Sequence, residues 1–105
     1  MPALTLAPRA WVAAALLLAG CRRGAPVTTD ECNRLLDRYT EQLARVDRPH
    51  LSAAELQRLQ GETRARAASH RAFQDCPREV SREQMDCALN AWDPDATERC
   101  LIPMP

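Results

Sequence analysis

The cysteines are the residues of this chain that could carry chemistry, and five in 105 residues is a high number. Zinc sites commonly place two ligands with about two to four residues between them, and redox-active pairs follow a C-x-x-C pattern. Neither spacing occurs among the last four cysteines, which are Cys32, Cys76, Cys87 and Cys100. We therefore predict no metal site, and we expect these four thiols to form structural disulfides in an oxidising compartment.

The sequence contains two histidines, His50 and His70. A catalytic histidine needs a nucleophile and an orienting acid that converge on it. His50 follows a proline in a predicted loop, and His70 lies among arginines and alanines on a predicted helix. Nothing in this spacing indicates a catalytic pair, so we predict no catalytic residue.

The first cysteine, Cys21, lies at the end of an apolar run and directly before two arginines. Residues 10–20 read AWVAAALLLAG and carry no charge, and Arg9 precedes them. The run is too short to span a bilayer, which needs about 20 apolar residues. It is typical of the apolar region of a secretory signal peptide, and export would suit the high cysteine content.

The segment Leu18-Ala19-Gly20-Cys21 resembles the lipobox of bacterial lipoproteins, in which an aliphatic residue and two small residues precede a cysteine. This resemblance, which covers residues 1–21, implies cleavage before Cys21. It also implies lipidation of Cys21, with a diacylglyceryl group on the thiol and an acyl group, such as palmitate, on the freed amine. Because Arg22 rather than an aspartate follows, it further implies transport to the outer membrane of a Gram-negative bacterium. We predict no cofactor besides this covalent lipid.

The predicted lipoprotein has four parts. They are a cleaved signal peptide (1–20), a lipidated tether (21–27), a helical disulfide-bridged domain (28–102) and a short tail (103–105). The mature part loosely resembles small cysteine-bridged helical lipoproteins, and that resemblance implies no activity.

Capping patterns predict where the helices begin. Three serine or threonine residues have a glutamate or glutamine three positions later, and a fourth start has proline directly after aspartate: Thr28, Ser52, Ser81 and Asp93. The predicted helices span 29–46, 53–75, 82–91 and 94–101. No segment alternates as a strand would, so we predict an all-α domain. It would be a small bundle of two longer antiparallel helices and one or two short C-terminal helices, stapled by disulfides.

The apolar stripes of these helices predict the core. Helix one presents six apolar residues on one face: Cys32, Leu35, Leu36, Tyr39, Leu43 and Val46. Helix two has a poorer face, with Leu56, Leu59, Ala67 and Phe73, and helix three presents Met85, Ala88, Leu89 and Trp92. So small a core is marginal without cross-links.

The predicted turns favour one pairing of the four domain cysteines. The turn after helix three brings Cys87 close to Cys100, which leaves Cys32 to pair with Cys76. A straight hairpin of helices one and two leaves Cys76 about 13 Å beyond the position opposite Cys32, so helix stagger or a bend at Gly61 must close the gap. The alternative pairing, Cys32 with Cys100 and Cys76 with Cys87, stays open.

Charge argues against a nucleic-acid partner, because 14 basic residues balance 14 acidic ones. The arginines of helix two have no interleaved aromatics, and Arg78 and Arg82 alternate with acids as in solvated ion pairs.

We therefore expect a non-catalytic binding or structural module. Its partners would be membrane lipids, through the anchor, and an unknown envelope protein. An exposed Tyr39 or Trp92 would suit such docking, since aromatic residues are favoured at interface hot spots. The alternative is a thiol- or metal-dependent periplasmic enzyme or redox factor that uses the cysteines and histidines.

Overall fold

The computed structural model describes residues 24–103, and its regular elements are six α-helices. They are α1 (Thr29–Asp47), α2 (Ala53–Ala67), α3 (Arg71–Gln74), α4 (Cys76–Glu79), α5 (Arg82–Leu89) and α6 (Pro94–Leu101). The predicted all-α, disulfide-stapled class is thereby confirmed. No helix in this part of the chain is long and apolar enough to cross a membrane. The predicted signal peptide and the lipidation residue Cys21 lie outside the described residues.

The longer helices begin where the capping residues predict. Four side chains accept a hydrogen bond from the backbone amide three residues further on: Thr28, Ser52, Ser81 and Asp93. The reciprocal bond of a capping box forms at Thr28 and Ser81. At Ser52 the predicted box is half formed, because the Glu55 carboxylate lies 3.7 Å from Arg48 instead.

The core is small and lies at the amino-terminal end of α1. Five buried residues form it, and they come from α1, α5 and the segment before α1: Val27, Cys32, Leu35, Met85 and Ala88. Partly buried side chains of α3, α4 and α6 pack against this cluster. No residue of α2 is buried, and Gln60 and Arg64 of α2 bind Asp37 of α1 through polar contacts. α2 therefore contacts α1 along one face, and its other faces remain exposed to solvent.

The predicted helix 53–75 is not continuous, because it is interrupted between Ala67 and Arg71. The α-helix ends at Ala67, and His70 has extended backbone angles, φ −92° and ψ 129°. The short helices α3 and α4 follow this break and fold the chain back toward α1. The break, and not a bend at Gly61, brings Cys76 to Cys32. Similarly, the predicted helix 82–91 ends at Leu89.

The predicted apolar stripe of helix one is buried only in its first half. Cys32 and Leu35 are buried, whereas Leu43 and Val46 are exposed. The last turns of α1 extend past the buried cluster, so no described residue covers these two side chains fully.

Two disulfides cross-link the domain. Cys32 of α1 is bonded to Cys76 of α4 with their Cα atoms 6.4 Å apart, and Cys87 of α5 is bonded to Cys100 of α6 with their Cα atoms 5.6 Å apart. This is the pairing that the predicted turns favour. Cys32 is only 2% exposed, so the first bond lies within the core.

We expect the two bonds to contribute unequally to stability, because they close chain segments of 44 and 13 residues. Loop-closure entropy predicts a loss of about 4 kcal/mol for Cys32→Ala with Cys76→Ala and about 3 kcal/mol for Cys87→Ala with Cys100→Ala. Urea denaturation of the oxidised protein, followed by circular dichroism, measures both losses.

Because a domain of this size has a total stability of about 5 kcal/mol, reduction of both bonds should abolish most helical circular dichroism at 37 °C. Alkylation without reduction is the control. Full helicity after reduction, or a peptide map that joins Cys76 to Cys87, would contradict this account.

Candidate functional site

The guanidinium group of Arg82, on α5, connects this helix to the segment before α1. Arg82 of α5 forms a bidentate ion pair with the Glu31 carboxylate, in which Nη2 lies 2.8 Å from Oε1 and Nη1 contacts Oε2. The same guanidinium donates to the carbonyl of Ala25 from Nε (3.1 Å) and to the carbonyl of Pro26 from Nη2 (3.0 Å). We refer to Arg82, Glu31 and these two carbonyls as the tether clamp. It fixes the point at which the domain begins.

Glu31 takes part both in the tether clamp and in the capping box of α1. Its Oε1 accepts hydrogen bonds from the backbone amide of Thr28 (3.1 Å) and from the Thr28 hydroxyl (3.2 Å). The hydrogen bond from Arg82, supported by those from Thr28, lowers the pKa of Glu31 to about 2 although burial opposes the charge. The same hydrogen bond raises the pKa of Arg82. Glu31 is therefore ionised throughout the physiological range.

The prediction that Arg82 belongs to solvated local ion pairs is incomplete. Its pair with Asp86, one turn away on α5, does form at 3.3 Å. Its principal partner is Glu31, 51 positions earlier in the chain. The spacing of residues along one helix cannot predict an ion pair between residues so far apart in the sequence.

A second constellation holds the turn between α5 and α6. The carbonyl oxygen of Ala91 accepts hydrogen bonds from Arg38 Nε (3.2 Å), Arg38 Nη2 (2.6 Å) and Gln42 Nε2 (3.1 Å), all from α1. Ala91 is buried, yet the next residue, Trp92, is 91% exposed. The backbone under the indole is thus fixed while the ring itself faces solvent. The prediction that Trp92 lies on the apolar face of helix three is wrong, because that helix ends before it.

The exposed indole borders a groove of about 370 Å³. We call this surface the Trp92 face, and eight residues line it: Arg38, Glu41, Gln42, Arg45, Val46, Trp92, Asp93 and Pro94. Its charged side chains have local partners: Arg45 binds Glu41 at 3.0 Å, Arg38 donates to the Ala91 carbonyl, and Asp93 caps α6. Val46, at 67% exposed, adds apolar surface beside the indole. The surface thus combines exposed aromatic and aliphatic side chains with charged side chains that have local partners.

The other residues considered from the sequence are dispersed. His50 and His70 are both exposed, one in the loop before α2 and the other at the start of α3. The four cysteines at 32, 76, 87 and 100 are all disulfide-bonded. Within residues 24–103, no group of three or more histidine, cysteine or acidic side chains is placed to hold a metal ion.

Comparisons of the chain with protein-family models, with curated proteins and with solved structures gave no match.

The tether clamp predicts a pH-dependent contribution to stability. We expect Glu31→Gln to lower the free energy of unfolding by about 2 kcal/mol near neutral pH, because glutamine retains the cap but loses the charge that Arg82 requires. The folded-state pKa of Glu31 lies below its ordinary value of 4.5. The contribution is therefore full above pH 4.5 and is lost as the pH falls toward 2.

Urea titrations of wild type and variant across this pH range give the measurement. Their difference should shrink as the solution is acidified. Glu62→Gln is the matched control, since Glu62 forms an exposed pair with Arg58 and its removal should change stability by less than about 0.5 kcal/mol. A Glu31→Gln effect that does not vary with pH would show that the charge pair contributes nothing.

Proposed function

We propose that this chain is a membrane-anchored envelope lipoprotein whose helical domain is a non-catalytic binding or structural module. The lipobox resemblance at Leu18–Cys21 supports the anchor. The oxidised state of the domain supports export, because disulfides persist in oxidising compartments. The four domain cysteines are disulfide-bonded in two pairs, so none of them requires Cys21 as a disulfide partner. This pairing is consistent with the proposed lipidation of the Cys21 thiol.

The observation that carries the binding role is the presentation of Trp92. A large exposed apolar side chain on a fixed support is a feature of interaction surfaces, because little conformational entropy is lost when the ring is covered. Three hydrogen bonds to the preceding carbonyl provide that support. The Trp92 face is therefore the surface that we assign to a partner.

The position of the Trp92 face favours a protein partner over the lipid bilayer. α1 begins beside the tether, and the α1 residues of this face, 38–46, lie about 14 to 26 Å further along the helix. A surface used to bind the membrane would be expected near the anchor. We therefore propose an envelope protein as the partner.

Lipidation at Cys21 is tested in a Gram-negative host that expresses the full chain. We expect palmitate labelling, globomycin-sensitive processing and fractionation with the outer membrane, all of which Cys21→Ser should abolish. Arg22→Asp should keep the label but move the protein to the inner-membrane fraction. The paired change Cys87→Ala with Cys100→Ala is the control and should keep the label. Persistent labelling of the Cys21→Ser chain would refute the lipoprotein proposal.

Docking through the Trp92 face is tested by crosslinking in intact cells. A photoreactive residue at position 46 should give one discrete adduct with an envelope protein, and Trp92→Ala should remove that adduct. Because Trp92 is exposed, its substitution should change the free energy of unfolding by less than about 0.5 kcal/mol.

A photoreactive residue at position 54, exposed on α2, is the matched control and should not give this adduct. Adduct formation that is indifferent to Trp92→Ala, or equal from positions 46 and 54, would exclude this face as the docking site.

A further inference from the structure

A second groove, distinct from the Trp92 face, lies where α1, α3, α4 and α6 meet. It has a volume of about 260 Å³, and the Cys32–Cys76 disulfide lies in its wall. We call it the Tyr39 groove, and nine residues line it: Cys32, Leu35, Leu36, Tyr39, Phe73, Cys76, Thr97, Glu98 and Leu101. Most of these side chains contribute only carbon or sulfur to the wall.

The hydroxyl groups on the wall are already engaged with the protein. The Tyr39 hydroxyl donates to Glu98 Oε1 at 2.8 Å. The Thr97 hydroxyl lies 2.8 Å from Gln42 Oε1 and 3.0 Å from the Asp93 carbonyl oxygen. A polar group of a ligand inside the groove would lose its hydrogen bonds to water, and these hydroxyls would not replace them because they already have partners in the protein. Burial of such a group therefore costs free energy. The body of any occupant is therefore apolar.

The volume limits the size of that body. An engineered apolar cavity of about 150 Å³ binds benzene, whereas drug-sized ligands occupy about 300 Å³ or more. The 260 Å³ of the Tyr39 groove lies between these values. It suits one aromatic ring with a short substituent.

The rim of the groove carries negative charge. Glu98 is the one charged residue among the described side chains that line it, and its Oε2 is not used by Tyr39. Asp95, one turn earlier on α6, adds to the field: the pKa of Tyr39 is raised, first by its hydrogen bond to Glu98, then by burial and by the charges of Glu98 and Asp95. Arg99 follows Glu98 in the chain but lines a different groove, with Cys87 and Cys100.

We propose that the Tyr39 groove binds a small hydrophobic amine. The ring lies against Leu36, Phe73 and Leu101, and the ammonium group donates a hydrogen bond to Oε2 of Glu98. An anion of the same size is disfavoured by the Glu98 carboxylate at the rim and by the nearby charge of Asp95. This site is independent of the lipid anchor and of the Trp92 face.

The chain carries its own reporters for this site. Its single tyrosine and its single phenylalanine, Tyr39 and Phe73, both line the groove. Trp92 lies on the other surface and serves as an internal control. The protein used is the oxidised mature chain, residues 21–105, with Cys21→Ser and its helical circular dichroism checked first.

Three probes of similar size separate the contributions of ring and charge at neutral pH: phenethylamine, 2-phenylethanol and phenylacetate. In nuclear magnetic resonance titrations, phenethylamine should shift the ring resonances of Tyr39 and Phe73 but not the indole of Trp92. Since the Glu98 carboxylate is exposed, 2-phenylethanol should bind about two- to fivefold more weakly. Phenylacetate should bind more weakly still.

Two substitutions complete the test. Glu98→Gln should remove the preference for phenethylamine over 2-phenylethanol while both still bind, and Glu83→Gln, on exposed α5 surface, should leave the preference intact. Leu36→Phe should fill the groove and abolish binding of all three probes. The proposal is overturned if phenethylamine leaves Tyr39 and Phe73 unshifted, if phenylacetate binds equally well, or if the preference survives Glu98→Gln.

Discussion

The bond between Cys32 and Cys76 is the constraint on which the rest of this domain depends. Cys32 belongs to a core of five buried residues, and few large apolar side chains are available to extend it. The bond attaches the chain that follows α2 to α1, across a separation of 44 residues. Without it, the contacts of α2 with α1 would rest mainly on half-buried leucines and on the exposed Arg64–Asp37 pair, and exposed ion pairs contribute little in water. The covalent bond takes the place of apolar burial that the sequence does not supply.

The same shortage of burial explains why polar contacts help to position α6 and the turn before it against α1. Gln42 of α1 binds both the Ala91 carbonyl and the Thr97 hydroxyl, and Tyr39 binds Glu98. Hydrogen bonds fix direction and distance without closing the space between helices. Apolar side chains of α1 are therefore left beside α6 without being fully covered. Among the residues that the structure describes, the Tyr39 groove and the Trp92 face both show this, since each is lined by residues of α1 and α6.

Local features of the fold could be predicted from the sequence, and non-local ones could not. Caps at Thr28 and Ser81 depend on residues three positions apart, and the predicted turn after α5 already favoured the neighbouring pair Cys87 and Cys100. The break after Ala67 contains no proline or glycine, so the sequence predicted one continuous helix across it. The Glu31–Arg82 pair joins residues 51 positions apart. The exposure of Trp92 followed from the early end of α5, which spacing alone did not reveal. Both surfaces assigned a binding role depend on such non-local packing.

The tether clamp limits how far the domain can lie from the proposed lipid anchor. Only Arg22, Arg23 and Gly24 lie between Cys21 and the clamped Ala25, and an extended chain spans at most about 3.6 Å per residue. The clamped end of the domain would therefore stay within about 14 Å of the lipidated residue. Thr29, the first residue of α1, is four residues beyond Ala25, which adds at most about 14 Å, and the α1 residues of the Trp92 face lie about 14 to 26 Å further along the helix. A partner that binds this face must therefore reach within roughly 55 Å of the bilayer surface, because the clamp prevents the tether from lengthening at the expense of the domain.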